Sequence, residues 1–535
     1  MLEVIPEWVE TQGKPINGLD LTGLRLPVDA ISTYQLIGIT TVTPRVRFLS
    51  IRAWIIKAFS ESGLPNSYEA FVDFATRVEA AIVFATLLNN RDLPFLPGVT
   101  KALEIIDEEP DPIPLEKLVD QPGYRLYAGT SYNLFLGYAN DDGIPGLTQE
   151  RGVPLADVFE GLINQTAFFK AIKANPSLDA VAREDLTQLG QAINLEEISE
   201  AERASLLSAL LPLQPAEKWF NRETRRIGTY TLMLELAKRH QRRPKEDDLF
   251  EAALAPETTL PKPLLSVLDG YLCYRIRDAL AVAHEAMLGL VCRELGGHEG
   301  SVHHDRVIHA VASDTANDLA LRNLGLMTDD ESITTVRFLT LAERVESLLL
   351  NQQTERGLIR WQGELDENNL IKTILQNSDV STGLTPVVWL LCRHRVAMEV
   401  PETFPHLEML LQAGSARVGL REVVFPQLET WTATNPLLID VISWLVQRTV
   451  DQHLRIAWSR MFADMNKDVA ILLCDGDLWQ HRGKNYGGGR MASRISDAIG
   501  WIEQLQLLET SGLTQMGEEV LSHGYEVLTR HGGDV

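Results

Sequence analysis

The sequence predicts a mainly α-helical protein that forms several domains of helical-bundle architecture. Apolar residues recur at helical spacing along most of the chain, as in Leu155, Val158, Phe159, Leu162 and Ile163, which form one stripe on a helix face. Alternation of apolar and polar residues is scarce, so we expect small strands only near the end of the chain. With 45% apolar and 23% charged residues, the 535-residue chain carries enough apolar surface to fold.

The same spacing predicts further helices within 71–88, 204–211, 229–237 and 341–350. Segment 263–295 is apolar on nearly all sides, which predicts a central buried helix wrapped by others. Gly270 and Gly289 interrupt this segment, and a glycine costs about 1 kcal/mol relative to Ala inside a helix. One long helix and two shorter helices are therefore both consistent with the sequence.

Two proline-rich segments, 107–123 and 240–263, mark domain boundaries. Proline lacks the amide donor that a helix interior needs, so neither segment continues a helix. Weaker breaks occur at 400–405 and at Asn435-Pro436. No internal repeat of fixed period is apparent, which argues against a solenoid. We predict helical domains at 1–110, 111–245 and 260–430, followed by a C-terminal domain at 435–535.

Residues 460–528 carry the most informative local pattern. A glycine run at 487–489 opens an amphipathic helix over 490–507, and Leu507-Leu508-Glu509 then forms a short strand. After a turn, a Leu-Thr-x-x-Gly-Glu-Glu-x-Leu series begins at Leu513. This order resembles the end of a winged-helix domain. The resemblance implies a three-helix core with a β-wing, a fold that often places its third helix in the DNA major groove.

The resemblance also implies where such a module would contact DNA or another anion. The available residues are Arg490, Ser493 and Arg494 at the helix start, with Arg482 and Lys484 in the preceding loop. Helix N-termini and glycine-rich loops present free backbone amides that suit phosphate oxygens. Many winged helices instead bind proteins, and the remainder of this module is acidic through Glu503, Glu509, Glu518 and Glu519. The sequence therefore leaves two candidate ligands for this module, double-stranded DNA and a protein partner.

A second set of residues lies near the N-terminus. Thr43 and Pro44 predict a helix start, because Thr caps helices and Pro fits the first turn. Arg45 and Arg47 follow, and their position is consistent with an anion site, an ion pair or an ordinary surface. Together with Thr40, these residues resemble the opening of a group of large, uncharacterised bacterial proteins met in anti-phage defence islands. The resemblance implies anti-phage defence as the biological setting. It implies no particular chemistry, because the group has no assigned reaction.

One cluster of metal-ligating residue types stands out: His298, Glu299, His303, His304, Asp305 and His309. If 302–311 is helical, Asp305 and His309 lie one turn apart on one face, so we take His304, Asp305 and His309 as candidate metal ligands. The alternative is a polar helix start, capped by Ser301, with its imidazoles in solvent. The sequence has no G-x-x-x-x-G-K-[ST], G-x-S-x-G or H-E-x-x-H motif, so we predict no catalytic residue and no cofactor.

The overall charge is acidic, with 49 Lys+Arg against 73 Asp+Glu and a formal net charge of -24. This charge argues against a general basic coat for nucleic acid. Segment 218–243 is a basic exception interleaved with aromatic residues, and it either tracks a phosphate backbone or pairs with acidic neighbours. The acidic first ten residues predict no signal peptide, and scattered cysteines without a C-x-x-C pair predict a cytoplasmic protein without membrane contact.

On these grounds we expect a non-catalytic subunit or sensor of a prokaryotic complex, consistent with anti-phage defence, that binds DNA or a protein partner. The alternative is a metal-dependent hydrolase or nuclease that uses the cluster at 298–309. A third hypothesis is a helical toxin or effector whose active site forms only on oligomerisation.

Overall fold

The computed structural model describes residues 20–93, 96–215, 220–254, 260–350, 425–463, 469–483 and 491–531. Of these described residues, 63% are helical and 6% lie in strands, which confirms the predicted mainly α-helical class. Among the helices in these ranges, none combines the length and the apolar character needed to span a lipid bilayer.

The chain divides into two compact units, and each unit is assembled from segments that are distant in sequence. Unit 1 comprises Met1–Ser32, Phe250–Pro261 and Leu268–Ala492. Unit 2 comprises Thr33–Leu249, Lys262–Val267 and Ser493–Val535. The four sequence-based domains remain a prediction.

Unit 2 is built mainly from helices that follow one another closely along the chain. They are α2 (Phe48–Glu61), α3 (Tyr68–Asn89), α4 (Val99–Asp107), α5 (Gly123–Leu126), α6 (Ala128–Asn133), α7 (Gly152–Ile163), α8 (Ala167–Ala174), α9 (Arg183–Ile193), α10 (Glu200–Leu210), α11 (Phe220–His240), α19 (Ile495–Gln504) and α20 (Gln515–His531). Three helices contribute residues to both units: α1 (Arg25–Gln35), α12 (Glu246–Leu254) and α13 (Leu265–Gly296).

Unit 1 contains most of α13 together with α14 (His304–Ala312), α15 (Thr315–Asn323), α16 (Phe338–Leu350), α17 (Phe425–Thr434) and α18 (Leu438–Ala463). Its core is one apolar cluster to which α13, α14, α16 and α18 contribute, with Leu288, Val307, Phe338 and Val446 fully or almost fully buried. Burial of α13 among other helices was expected from its apolar sides. The helix runs unbroken as a single element through Gly270 and Gly289, because burial of its apolar side chains outweighs the glycine cost.

Short antiparallel strands occur in both units. In unit 2, β1 (Ile113–Pro114) pairs with β4 (Ala180–Val181), β2 (Gly137–Ala139) with β3 (Pro145–Leu147), and β8 (Leu508–Glu509) with β9 (Gly512–Leu513). In unit 1, β5 (Val302–His303), β6 (Leu472–Asp475) and β7 (Leu478–His481) form a sheet in the order β5-β7-β6. The prediction that strands occur only near the end of the chain is therefore wrong, because strands this short show no alternating pattern.

Two local predictions near helix starts also need correction. Helix α2 begins at Phe48 rather than at Pro44, and the Thr43 hydroxyl bonds with the Thr40 hydroxyl at 2.9 Å instead of capping a helix. At the other end of the chain, α19 begins at Ile495 rather than at 490. Trp431 and Trp458 both lie in apolar helical stretches, which predicts burial; Trp431 is buried, whereas Trp458 is 56% exposed.

A close helix crossing in unit 2 explains why residue 190 is a glycine. Helices α3 and α9 approach so closely that a Cβ atom added at Gly190 would lie 2.0 Å from the carbonyl oxygen of Ala85. No side chain fits at that separation, so only glycine permits this crossing.

A side-chain hydrogen bond links α19 to the segment before α2. The indole N–H of Trp501 donates to the carbonyl oxygen of Thr43 at 2.7 Å.

Candidate binding site

Helices α10, α11 and α20 of unit 2 line a cavity of about 990 Å³ that is open to solvent. This volume lies at the upper end of the range of about 300–1,000 Å³ typical of small-molecule sites. Most of its lining is apolar: Phe135, Ala204, Leu207, Leu211, Pro212, Leu213, Ile227, Leu234, Met516, Val520 and Val527. Several of these side chains, including Leu207, Met516 and Val520, are only half-buried. Apolar surface is thus left for a ligand to cover.

The local sequence explains how the walls are held. Ser199 caps α10, with its hydroxyl accepting the Glu202 N–H at 3.3 Å. Helices α11 and α20 meet closely at Gly524, where an added Cβ atom would lie 2.2 Å from the Thr231 hydroxyl oxygen. Both residues line the cavity, so this contact closes one of its sides.

Arg151, which lines the cavity, belongs to a network of buried and half-buried charged side chains. The Arg151 guanidinium donates to the two carboxylate oxygens of Glu223 at 2.6 and 3.3 Å and lies 5.5 Å from the centre of the Phe135 ring. Arg226 donates to the same carboxylate at 3.3 Å and is fully buried. Burial lowers the pKa of Arg226 to about 10, partly opposed by Glu223. Two guanidinium groups therefore share one carboxylate next to the cavity.

Polar and acidic side chains also line the cavity. Glu150, Glu519 and His523 are exposed lining residues, and Ser208 adds a hydroxyl. Thr148 stabilises the adjacent turn, since its hydroxyl donates to the carbonyl oxygen of Phe135 at 2.5 Å. A mainly apolar lining with some polar groups is typical of small-molecule sites.

The sequence-predicted arginines near the N-terminus lie elsewhere in unit 2 and point inward. Arg47 is 2% exposed and pairs with Glu202, with 2.8 Å between Nη2 and Oε2. Its Nη1 also donates to the carbonyl oxygens of Asn194 and Glu197. Of the alternatives considered for Arg47, the structure contains the ion pair, and burial leaves no surface for a phosphate backbone. Arg45 is half-buried, and burial lowers its pKa.

The residues proposed from the winged-helix resemblance are only partly exposed. Arg482 and Arg494 are half-buried, and each donates to a backbone carbonyl, of Ala470 at 3.4 Å and of Ile39 at 3.1 Å respectively. Ser493 is 3% exposed. Lys484 and Arg490 lie outside the described residues, so the structure leaves their proposed role as a prediction.

In the basic segment 218–243, four cationic side chains near its C-terminal end pair with acidic neighbours, as one of the two interpretations expected. The pairs are Lys238 with Glu518, Arg239 with Glu235, Arg242 with Asp248 and Arg243 with Glu503. Arg225 and Arg226 are buried. Lys218 and Trp219 lie outside the described residues.

The histidine cluster is in unit 1, and its composition differs from the predicted ligand set. His303, His304 and Asp477 can each offer one ligand atom, and these atoms lie within 4.8 Å of one another. Of the predicted ligands His304, Asp305 and His309, the structure includes His304 in this group, and Asp305 is adjacent with an Oδ1 atom 3.3 Å from His304 Nδ1. His309 is exposed one turn further along α14. The helix cap is His303 rather than the expected Ser301, because 302–303 forms a strand.

Sequence reasoning missed the cavity altogether. Helical periodicity located its walls at 204–211 and 229–237, but a periodic pattern does not indicate a gap between helices. Comparison with protein-family models, curated proteins and solved structures found no match to this chain.

Proposed function

We propose that the protein is a recognition protein, a sensor or subunit of a prokaryotic complex, and that unit 2 binds an amphipathic small molecule with an anionic group. The observation that carries this proposal is the cavity of about 990 Å³ with Arg151 in its wall. Anti-phage defence is the setting that the N-terminal resemblance adds to the proposal.

The apolar lining supports an apolar ligand body. Leu207 on α10, Leu211 directly after it, and Met516 and Val520 on α20 all line the cavity and are half-buried. Covering such surface contributes about 25 cal/mol for each Å² removed from water. A ligand body of several methylene groups therefore gains binding free energy here without a polar contact.

The Arg151 network supports an anionic ligand group. Arg151 and Arg226 carry two positive charges against the single negative charge of Glu223, with which both pair. A ligand carboxylate or phosphate near Arg151 would offset part of this positive charge in a site of reduced polarity. The same network disfavours an ammonium group placed next to Arg151.

A matched ligand series tests the proposal on the full-length protein. Calorimetric titrations with decanoate, decanol and decylamine vary the head group on one apolar chain. We expect decanoate to bind at least about 10-fold more tightly than decanol, as for a hydrogen bond to a charged group. Decylamine should bind most weakly.

Two cavity variants and one control complete the design. Val520→Trp and Leu207→Trp place a bulky ring in the cavity from α20 and from α10 and should each weaken decanoate binding, whereas Leu319→Trp, at a 58% exposed site of unit 1, should not. The head-group comparison uses the unmodified protein, so it stands even if a variant unfolds. Equal binding of the three ligands, or unchanged binding in both cavity variants, would refute the proposal.

A second candidate function is contact with duplex DNA or an acidic partner through a C-terminal winged-helix module. Its support is the order of α19, the β8-β9 hairpin and α20, which matches the predicted helix, strand and turn. One observation argues against a wing that is free to contact DNA. A Cβ atom added at Gly512 would lie 3.0 Å from the Ala237 carbonyl oxygen, so the β8-β9 hairpin packs on α11. The test is a low-salt mobility-shift titration of the full-length protein and of Arg482→Ala/Arg494→Ala. Absence of a shift would end this candidate.

A further inference from the structure

We infer that His303, His304 and Asp477 of unit 1 form a binding site for a divalent transition-metal ion of the zinc class. The three residues are distant in sequence, and the sheet of unit 1 brings them together. Strand β5 pairs with β7, with His303 opposite Leu478. The N–H of His304 then donates to the carbonyl oxygen of Asp477 at 2.8 Å. The start of α14 is thereby fixed against the turn between β6 and β7.

The distances suit a shared ion. One nitrogen of each imidazole and one carboxylate oxygen lie within 4.8 Å of one another, and His304 Nε2 lies 3.6 Å from Asp477 Oδ1. Zinc bonds of about 2.0–2.1 Å place tetrahedral donor atoms about 3.4 Å apart. The separation between His304 and Asp477 already meets this requirement. The exposed side chain of His303 needs only a small rotation to meet it.

His304 is oriented for metal binding from both sides of its ring. Its Nε2 points to Asp477, while its Nδ1 lies 3.3 Å from the Oδ1 atom of Asp305. This Nδ1 atom is shielded from solvent and has no hydrogen-bond partner. A ligating histidine usually donates its other N–H to a carboxylate, which is the role that a small rotation gives Asp305. The ring of Trp479, centred 5.6 Å away, packs against the imidazole.

Unlike His304, His303 already uses one ring nitrogen in a hydrogen bond to the backbone of α14. Its Nδ1 accepts the Asp305 N–H at 3.3 Å and so caps α14. A neutral imidazole has one free nitrogen lone pair, so coordination by His303 exchanges this long capping bond for a bond to the metal. A capping bond of this length is a weak competitor.

The ligand types determine the class of ion. Imidazole nitrogens favour zinc and its neighbours, whereas Mg²⁺ and Ca²⁺ prefer sites built from oxygen atoms. Two imidazoles and one carboxylate leave a fourth tetrahedral position for water or a ligand. The carboxylates of Asp477 and Asp305 offset the charge of the ion.

Metal titration of the full-length protein tests the inference. The protein is dialysed against a chelator and titrated with ZnCl₂ in competition with a chromophoric chelator. Binding of Co²⁺ is followed in parallel by visible absorption. We expect one equivalent of either ion at this site. His304→Ala and Asp477→Asn should each weaken it at least about 10-fold, the lower bound even for an outer-shell substitution.

Two matched controls separate this site from the alternatives. Asp475→Asn removes the acid at the other end of the same turn, and His309→Ala removes the exposed histidine of α14; neither should change zinc affinity. Circular dichroism checks that all variants fold. The inference is wrong if the unmodified protein binds no stoichiometric zinc. It is also wrong if His304→Ala and Asp477→Asn bind as the unmodified protein does, or if only His309→Ala loses the ion.

Discussion

Arg47 and Glu202 form a bidentate ion pair inside unit 2, although 155 positions separate them in the chain. Their side chains are 2% and 0% exposed. Arg47 also binds the backbone after α9, so one side chain joins the start of α2 to the connection between α9 and α10. A buried charge of this kind is tolerated only while its partner is present.

Removal of the acid should therefore destabilise unit 2. Glu202→Gln leaves the Arg47 charge buried without a carboxylate, and we expect a loss of about 3–5 kcal/mol in the free energy of unfolding. Urea unfolding followed by circular dichroism measures the change. The control is Asp107→Asn, which removes the exposed pair with Arg91 and should cost at most about 1 kcal/mol. Equal effects of the two substitutions would show that burial does not govern the Arg47 pair.

Glu79 should make unit 2 less stable as the pH rises. Burial raises the pKa of Glu79 to about 7, although its oxygens accept the N–H groups of Gly123 and Tyr124 at 2.5 and 2.6 Å. Between the ordinary value of 4.5 and about 7, the folded chain holds the proton more tightly than the unfolded chain. The contribution is complete below pH 4.5 and is lost as the pH rises through about 7.

The comparison of Glu79→Gln with the unmodified protein between pH 4.5 and pH 8 isolates this contribution. The difference in unfolding free energy should change by up to about 3 kcal/mol, since one pKa unit corresponds to about 1.4 kcal/mol. Glu69→Gln, an exposed site on the same helix, should show no such change. A pH-independent difference for Glu79→Gln would contradict the prediction.

His284 should have the opposite effect in unit 1. This half-buried histidine shares a 2.8 Å hydrogen bond with the Thr449 hydroxyl, and burial lowers its pKa from 6.5 to about 4. Unfolding releases the imidazole to bind a proton, so its contribution to stability is present above pH 6.5 and is lost as the pH falls through about 4. His284→Asn should reduce the loss of stability in acid by up to about 3 kcal/mol.

Acid titrations of the unfolding midpoint measure this effect, with His309→Asn as the exposed control from the same unit. If His284→Asn and the unmodified protein lose stability in parallel from pH 6.5 to pH 4, the histidine is not the source of acid sensitivity.

Gly190 should be intolerant of alanine. The added methyl group would lie 2.0 Å from the Ala85 carbonyl oxygen and would force α3 and α9 apart. We expect Gly190→Ala to cost more than about 2 kcal/mol, in the range of overpacked cores. Gly161→Ala on α7 is the control: its Cβ atom meets no other atom within 4 Å, so helix propensity should stabilise the protein by up to about 1 kcal/mol. Thermal unfolding of both variants tests the pair, and a destabilisation shared by both would contradict the packing argument.

Local pattern and tertiary placement contributed differently to the candidate sites. The apolar pattern at 204–211 predicted α10, which forms one wall of the cavity. The pattern that follows the glycine run at 487–489 predicted a helix, a strand and a turn near the C-terminus. By contrast, the neighbours of His304 came from a distant turn. Asp477 lies beside it because β5 pairs with β7, and no spacing within 298–309 encodes that pairing.

The amino-acid sequence by itself determined the helical class, the positions of several helices and the burial of α13, because apolar periodicity acts over a few residues. Only the tertiary structure decided that Arg47 faces Glu202, that Arg226 shares Glu223 with Arg151, and that α10, α11 and α20 leave a cavity. These features depend on contacts between segments far apart in the chain. Whether a charged side chain is paired, buried or available to a ligand is set by such contacts and not by its neighbours in sequence.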